Sequence, residues 1–148
     1  MSSSFIGTSM SRGFAGEITR GTFDYTTEVK ENDSTTPVGA PGLLVSLTSA
    51  GKATVATDAT KVYGFSVRDY RQVGPDGKVW PADRFVLILR RGYIAVLADG
   101  TPAVGGEVYI GTNGKVTATK GTGAVAIPNC QFMGTKDADG IVEIAFNI

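Results

Sequence analysis

From Leu43 onward, apolar and polar residues alternate along this 148-residue chain with a period of two, the spacing of strands that bury one face. "LLVSLT" and "ATVAT" flank "SAGK" and predict a first hairpin. "KVYGFSVRDY" alternates again and runs into the Pro/Gly turn signal "GPDGK". "FVLILRRGYIAVL", Phe85 to Leu97, predicts a buried strand that is interrupted at Gly92 by a bend or bulge and then continues. "EVYI" and "KVTAT" are joined by "GTNG", where Asn113-Gly114 is the strongest short hairpin signal. "CQFMG", a "KDADG" turn and "IVEIAFNI" close the chain. No window repeats apolar residues at three and four over several turns, and the 20 glycines disfavour helix. Many short strands at this spacing predict an all-β fold, a jelly roll or small barrel-like β-sandwich.

Two stretches break the alternation. Residues 1–16 are rich in serine and glycine, with Phe5, Ile6, Met10 and Phe14 scattered among them. They have no core of their own and too many apolar side chains for an inert tail, so they read as an N-terminal arm ordered against something else. The single β domain is then 17–148. Thr26 to Gly42 collects turn formers and two prolines and predicts a long surface loop. Tyr63, Phe65, Phe85, Tyr93, Phe132 and Phe146 fall at strand positions and are expected in the core. Trp80, in "KVWPAD", reads either as an interface anchor or as a cap over the barrel end.

A chain of this length buries roughly 70% of its unfolded surface and needs no staple. Cys130 is the lone cysteine, excluding an intrachain disulfide, and its apolar surroundings predict a small buried hydrophobe. Fourteen basic residues balance fourteen acidic ones, so no excess field draws nucleic acid or anionic lipid. The basic residues Arg68, Arg71, Arg84, Arg90 and Arg91 lie close in sequence, as charged strand edges do. The alternative is a surface for an acidic partner, which "EVKENDS", Glu28 to Ser34, would supply on a neighbouring copy. The N-terminus lacks the basic and apolar regions of a secretory signal, and "FVLIL" is too short to span a membrane. The expectation is a soluble protein that is not exported, for which the sequon at Asn32 carries no weight.

Catalytic chemistry is hard to place. There is no histidine, which removes the commonest general base and, with a single cysteine, a structural zinc site. "GTGAVA" (Gly121 to Ala126) fits a dinucleotide fingerprint, but Pro128 and an all-β context follow where a helix is required. "SAGK" falls in a tight turn rather than on the helix that a serine-lysine pair needs. "DADG" (Asp137 to Gly140) reads as a turn made by its own aspartates rather than part of a calcium loop. A carboxylate hydrolase needs only two acids close in space, so a structure bears on it directly. No cofactor, metal or catalytic residue is expected.

Four stretches resemble the phage structural cement, or capsid decoration, proteins. They are "MSRGFAGEITRG", "GLLVSLTSAGKATVATDATKVYGFSVRDY", "RRGYIAVLADGTPAVGGEVYIGTNGKVTA" and "NCQFMGTKDADGIVEIAFNI", and together they span most of the chain. The connection "VRDYRQVGPDGKVWPADR" departs from the family pattern. The resemblance implies a non-enzymatic virion protein, made in the host cytoplasm, that binds the outer surface of the assembled head. There it would bridge neighbouring major capsid subunits as a closed homo-oligomer, a dimer ahead of a trimer. Phe5, Ile6, Arg12 and Phe14 from the arm, with Trp80 and Arg84 from the unmatched connection, are the candidate contacts. The rival reading is a carbohydrate-binding β-module of a phage tail or adhesin, which needs exposed aromatics over a groove.

Overall fold

The computed structural model describes residues 13–21, 24–68 and 85–148. Nine strands occur among them: β1 (Thr26–Glu31), β2 (Leu44–Leu47), β3 (Ala53–Val55), β4 (Gly64–Ser66), β5 (Phe85–Asp99), β6 (Tyr109–Ile110), β7 (Val116–Thr117), β8 (Cys130–Phe132) and β9 (Ile141–Phe146). All belong to one open mixed sheet organised around β5, whose first half pairs with β1 and β4 and whose second half pairs with β9 and β7. The middle of each half of β5 is covered on both faces, which calls for consecutive apolar residues instead of alternation. Ile88, Leu89, Ile94, Ala95 and Val96 are accordingly all fully buried.

The sheet folds over along β5. The Val67 amide donates to the Leu87 carbonyl (2.8 Å), the Arg68 amide to Gly16 (2.8 Å), and the Gly16 amide to Ala95 (2.8 Å). Leu87 and Ala95 would stand about 26 Å apart in a straight strand. Three hydrogen bonds through three residues close that gap, so β5 is sharply bent between them. Gly92, with φ +141°, sits inside the bent stretch where the pairing passes from β1 and β4 to β9.

The two halves enclose one principal core, which includes Leu44, Phe65 and Leu89 from one side and Ile94, Phe132 and Ile144 from the other. Phe65 and Phe146 meet edge to face across it, ring centroids 5.5 Å apart. A smaller cluster of Val38, Val45, Ala53, Val86 and Ile88 fills the first half. That half curls toward closure, because Asn32, just after β1, bridges Ala53 of β3, the far strand of the same sheet.

The expected hairpins are present. Val45 faces Val55 across the β2–β3 turn, Ile110 faces Val116 across the Asn113-Gly114 turn, and Phe132 faces Ile144 across the "KDADG" turn. The Asp137 carboxylate accepts from the amides of Asp139 and Ile141 (2.9 Å each), so it does make the turn itself. No helix follows "GTGAVA", where the chain runs irregularly into β8. Two expectations are corrected. Thr26 to Gly42 is not one long loop, since its first six residues form β1 and pair with β5 from Phe85 to Arg91. Its remainder is tied down: Asn32 is 1% exposed, and its side chain both donates to and accepts from the backbone of fully buried Val38 (3.0 and 2.9 Å). Among the six aromatics, Phe65, Phe132 and Phe146 are buried and Tyr63 and Tyr93 half-buried, but Phe85 is 57% exposed because it opens β5 at the margin of the sheet.

Candidate interaction surface

Residues 14–20 lead onto the body through two local devices. A tight turn reverses the chain from Phe14 to Glu17, with the Glu17 amide donating to the Phe14 carbonyl (3.2 Å) and the Phe14 amide donating to the Glu17 carboxylate (3.1 Å). The turn places Gly16 at φ +89°, where a Cβ would lie 2.5 Å from Pro41 and 2.9 Å from the Arg68 nitrogen. Only glycine fits there. Beyond the turn, residues 16–19 run as an added strand on β5: Ala95 exchanges bonds with Gly16 and Glu17 (2.8 and 2.9 Å), and the Thr19 amide donates to Tyr93 (3.0 Å). Ile18 bridges Ile94 on the core side.

β9 lies on the opposite edge of this part of β5, with Ala145 facing Tyr93 and Glu143 facing Ala95. Arg20 reaches across β5 to it. Its guanidinium stacks 4.2 Å from the Tyr93 ring centroid and grips the Glu143 carboxylate with two bonds, Nε at 3.1 Å and Nη2 at 2.7 Å. The Thr19 hydroxyl donates to the same carboxylate. A bidentate, stacked arginine resists replacement by any other cation. This strap fixes the direction in which the N-terminal segment leaves the body. Arg20→Ala is expected to leave the fold standing while hydrogen exchange at residues 16–19 accelerates by roughly tenfold, the effect of losing about 1.4 kcal/mol of local stability. Unchanged exchange there would show that the backbone bonds alone hold the segment.

A second strap crosses the first half of β5. Tyr63 donates its hydroxyl to Glu28 on β1 (2.6 Å), Arg90 of β5 stacks 3.5 Å from the Tyr63 ring and donates to the Tyr63 carbonyl, and Lys30 pairs with Glu28 (2.9 Å). Glu31 binds Lys52 (3.1 Å). Glu28 and Glu31 of the acidic stretch, the alternative surface for a neighbouring copy, are paired within the chain to Tyr63, Lys30, Arg90 and Lys52. The bond from Tyr63, then that from Lys30, holds Glu28 below its ordinary value, and the bond to Glu28 holds Tyr63 above its own. A depressed carboxylate contributes stability above its unfolded pKa, lost as pH falls through the folded one. A raised tyrosine contributes below its unfolded pKa, lost as pH rises through the folded one. The urea midpoint should thus fall on the acid side, and the fall should be shallower in Tyr63→Phe. Superimposable pH profiles for the two proteins would remove the bond from this role.

Of the candidate contacts, Phe14 is described, and it is 63% exposed with the Arg68 guanidinium 5.4 Å from its ring centroid. Arg68 also donates to the Ala15 carbonyl (3.2 Å), so the pair stands at the root of the N-terminal segment. Phe5, Ile6, Arg12, Trp80 and Arg84 lie outside the described residues. The sequence reading missed Arg20, Tyr93 and Glu143 as a unit. The Arg20–Glu143 separation of 123 residues leaves no local signal for it.

Catalytic features are sparse in the described part. An open groove of about 660 Å³ runs between the β6–β7 turn and the segment after β3. Its lining includes Val55, Ala56, Ala59 and Ile110 and no aromatic ring. Asp58 on its wall is occupied by the amide and hydroxyl of Thr60 (2.9 and 2.7 Å). Among the described residues no cluster of three acids or thiols is placed to hold a metal ion. Burial pushes the Cys130 thiol up, away from the thiolate form.

The comparisons with known proteins point one way. Residues 1–147 match the family model described as structural cement protein (E217 gp24/Pam3 gp6). A chain from the structure titled "The capsid of Myoviridae Phage XM1" superposes with a TM-score of 0.70 at 21% identity, covering 97% of this chain and 96% of that one, which establishes a shared fold. No curated protein matches. With nearly its whole length inside the family model, the chain belongs to the structural cement proteins of bacteriophage capsids.

Proposed function

We propose that this protein is a non-enzymatic decoration protein that binds the outer surface of the assembled phage head and bridges neighbouring major capsid subunits. The observation that carries the reading is the rooted N-terminal segment: residues 16–20 are clamped onto β5 and β9 while Phe14 beside them stands exposed. A bridging protein needs that combination of a rigid body and a chain leaving it in a set direction. The arm residues Phe5, Ile6, Arg12 and Phe14, with Trp80 and Arg84, are the proposed contacts, since buried aromatic and arginine side chains dominate interface energetics. Copies repeated over the shell gain avidity, so a modest single contact holds. Zero formal net charge limits repulsion between closely packed copies.

The mechanism is differential binding. A protein that prefers the mature shell stabilises that state by mass action, with no covalent step. Self-association as a dimer on a local two-fold axis suits the bridging role, because its contact patch is self-complementary. Heads lacking the protein are expected to release their genome at lower temperature than decorated heads, and purified protein should restore them. Equal robustness of bare and decorated heads would overturn the reading, and density for isolated copies on the shell would overturn the dimer.

A further inference from the structure

The chain carries four asparagines, Asn32, Asn113, Asn129 and Asn147, and their surroundings differ sharply. The Asn32 amide is buried with both ends bonded to Val38. Asn147 donates its side-chain amide to the Arg90 carbonyl (2.8 Å) at the end of β9. Asn129 precedes Cys130, whose side chain crowds the adjoining amide and whose backbone pairs with Phe146. Asn113 is exposed and precedes Gly114, the residue that leaves its own nitrogen least hindered. It sits in a turn closed by the Lys115 amide on the Thr112 carbonyl (3.1 Å), between strands of two residues each.

We propose that Asn113 is the site at which this protein ages covalently, its amide converting through a cyclic imide to aspartate and isoaspartate at a rate set by opening of the β6–β7 turn. The Gly114 amide nitrogen attacks Cγ of Asn113. A new C–N bond forms, the bond from Cγ to the side-chain nitrogen breaks, and that nitrogen leaves as ammonia carrying the Gly114 amide proton. Water then adds at either carbonyl of the imide, giving aspartate or isoaspartate with one new negative charge. No oxidant, metal or enzyme is required.

The turn governs the rate because the folded geometry opposes attack. Asn113 has φ 56° and ψ 37°, which turns the Gly114 nitrogen away from the Asn113 side chain. The ring closes only when the turn opens, and a hairpin this short opens far more readily than the core around Asn32. The product is also poorly accommodated. Gly114 is buried against Val55, where even an added Cβ would lie 2.6 Å from Cγ1. Isoaspartate lengthens the main chain by one carbon at that point. It cannot keep both the Lys115–Thr112 bond and the Gly111–Lys115 bond (2.7 Å) that frame the turn. Ageing is therefore expected to unzip β6 from β7 and place a carboxylate on the groove wall opposite Asp58.

The test is incubation of the full-length protein in mildly alkaline buffer, with ammonia release and peptide mass mapping over time. Asn113 should account for most of the ammonia, and Asn113→Gln should reduce the release severalfold. Val116→Ala, which loosens β7, should accelerate conversion in native buffer and leave it unchanged in denaturant. Denaturant itself should accelerate conversion at Asn113 in the parent. Earlier conversion at Asn32, Asn129 or Asn147 would overturn the assignment of the site. A rate at Asn113 indifferent to both Val116→Ala and denaturant would overturn the control by the turn.

Discussion

Replacing Gly92 with alanine is expected to lower the thermal midpoint by about 10 °C, the equivalent of about 3 kcal/mol for a domain of this size. Two penalties add. At φ +141° an L-residue is strained wherever it sits, and here the new Cβ would lie 2.9 Å from the Tyr25 Cβ and 3.2 Å from Leu89 Cδ1. Neither neighbour can retreat easily, because Leu89 is fully buried and Tyr25 leads into β1. The bend around Gly92 lets the two halves of β5 enclose one core, so relaxation there separates Phe65 from Phe146. Gly51→Ala is the control. That glycine also has positive φ (+78°) but meets nothing within 4 Å, so it should cost only about 1 kcal/mol. Equal losses at the two positions would mean that backbone strain alone matters and that the packing at the bend does not.

Deleting residues 2–12 is expected to leave the midpoint of the isolated protein nearly unchanged and to strip most of it from capsids. The cut belongs at residue 12 because the bonds that anchor the segment begin at Phe14 and run through Arg20. Removing Gly16 as well would take the Ala95 and Arg68 backbone bonds with it and confuse folding with binding. The deleted stretch contains Phe5, Ile6, Met10 and Arg12, three of them proposed contacts. Phe14→Ala is the single-residue companion. Truncating a hot-spot aromatic commonly costs about 2 kcal/mol, a fall of roughly thirtyfold in affinity per site. Occupancy on purified heads, read from gels or from electron density, decides both. Full occupancy by the deletion protein would show that the body alone holds the shell, and full occupancy by Phe14→Ala would remove that residue from the contact.

What the sequence determined by itself is local. The β2–β3, β6–β7 and β8–β9 hairpins follow from alternation and from turn residues such as Asn113-Gly114 and Asp137, whose conformational preferences act within a few residues. The interruption at Gly92 is visible for the same reason. The family likeness, carried by the order of those hairpins, is equally a property of the linear chain. Only the tertiary structure decided which distant segments meet. Thr26–Glu31 reads as loop because "TTEVKE" is half charged. It is a strand because β5 offers an open edge and Tyr63, Lys30 and Arg90 satisfy Glu28. Residues 16–19 join the sheet through backbone bonds to Ala95 and Tyr93, and Arg20 reaches Glu143 across β5 beside them. Phe85 is exposed although its neighbours promise burial, because it opens β5 at the margin of the sheet. Alternation shows that a residue lies on a strand, but which edge and which face are covered is set by partners distant in the chain, as Glu143 is 123 residues from Arg20, and no short-range preference records them.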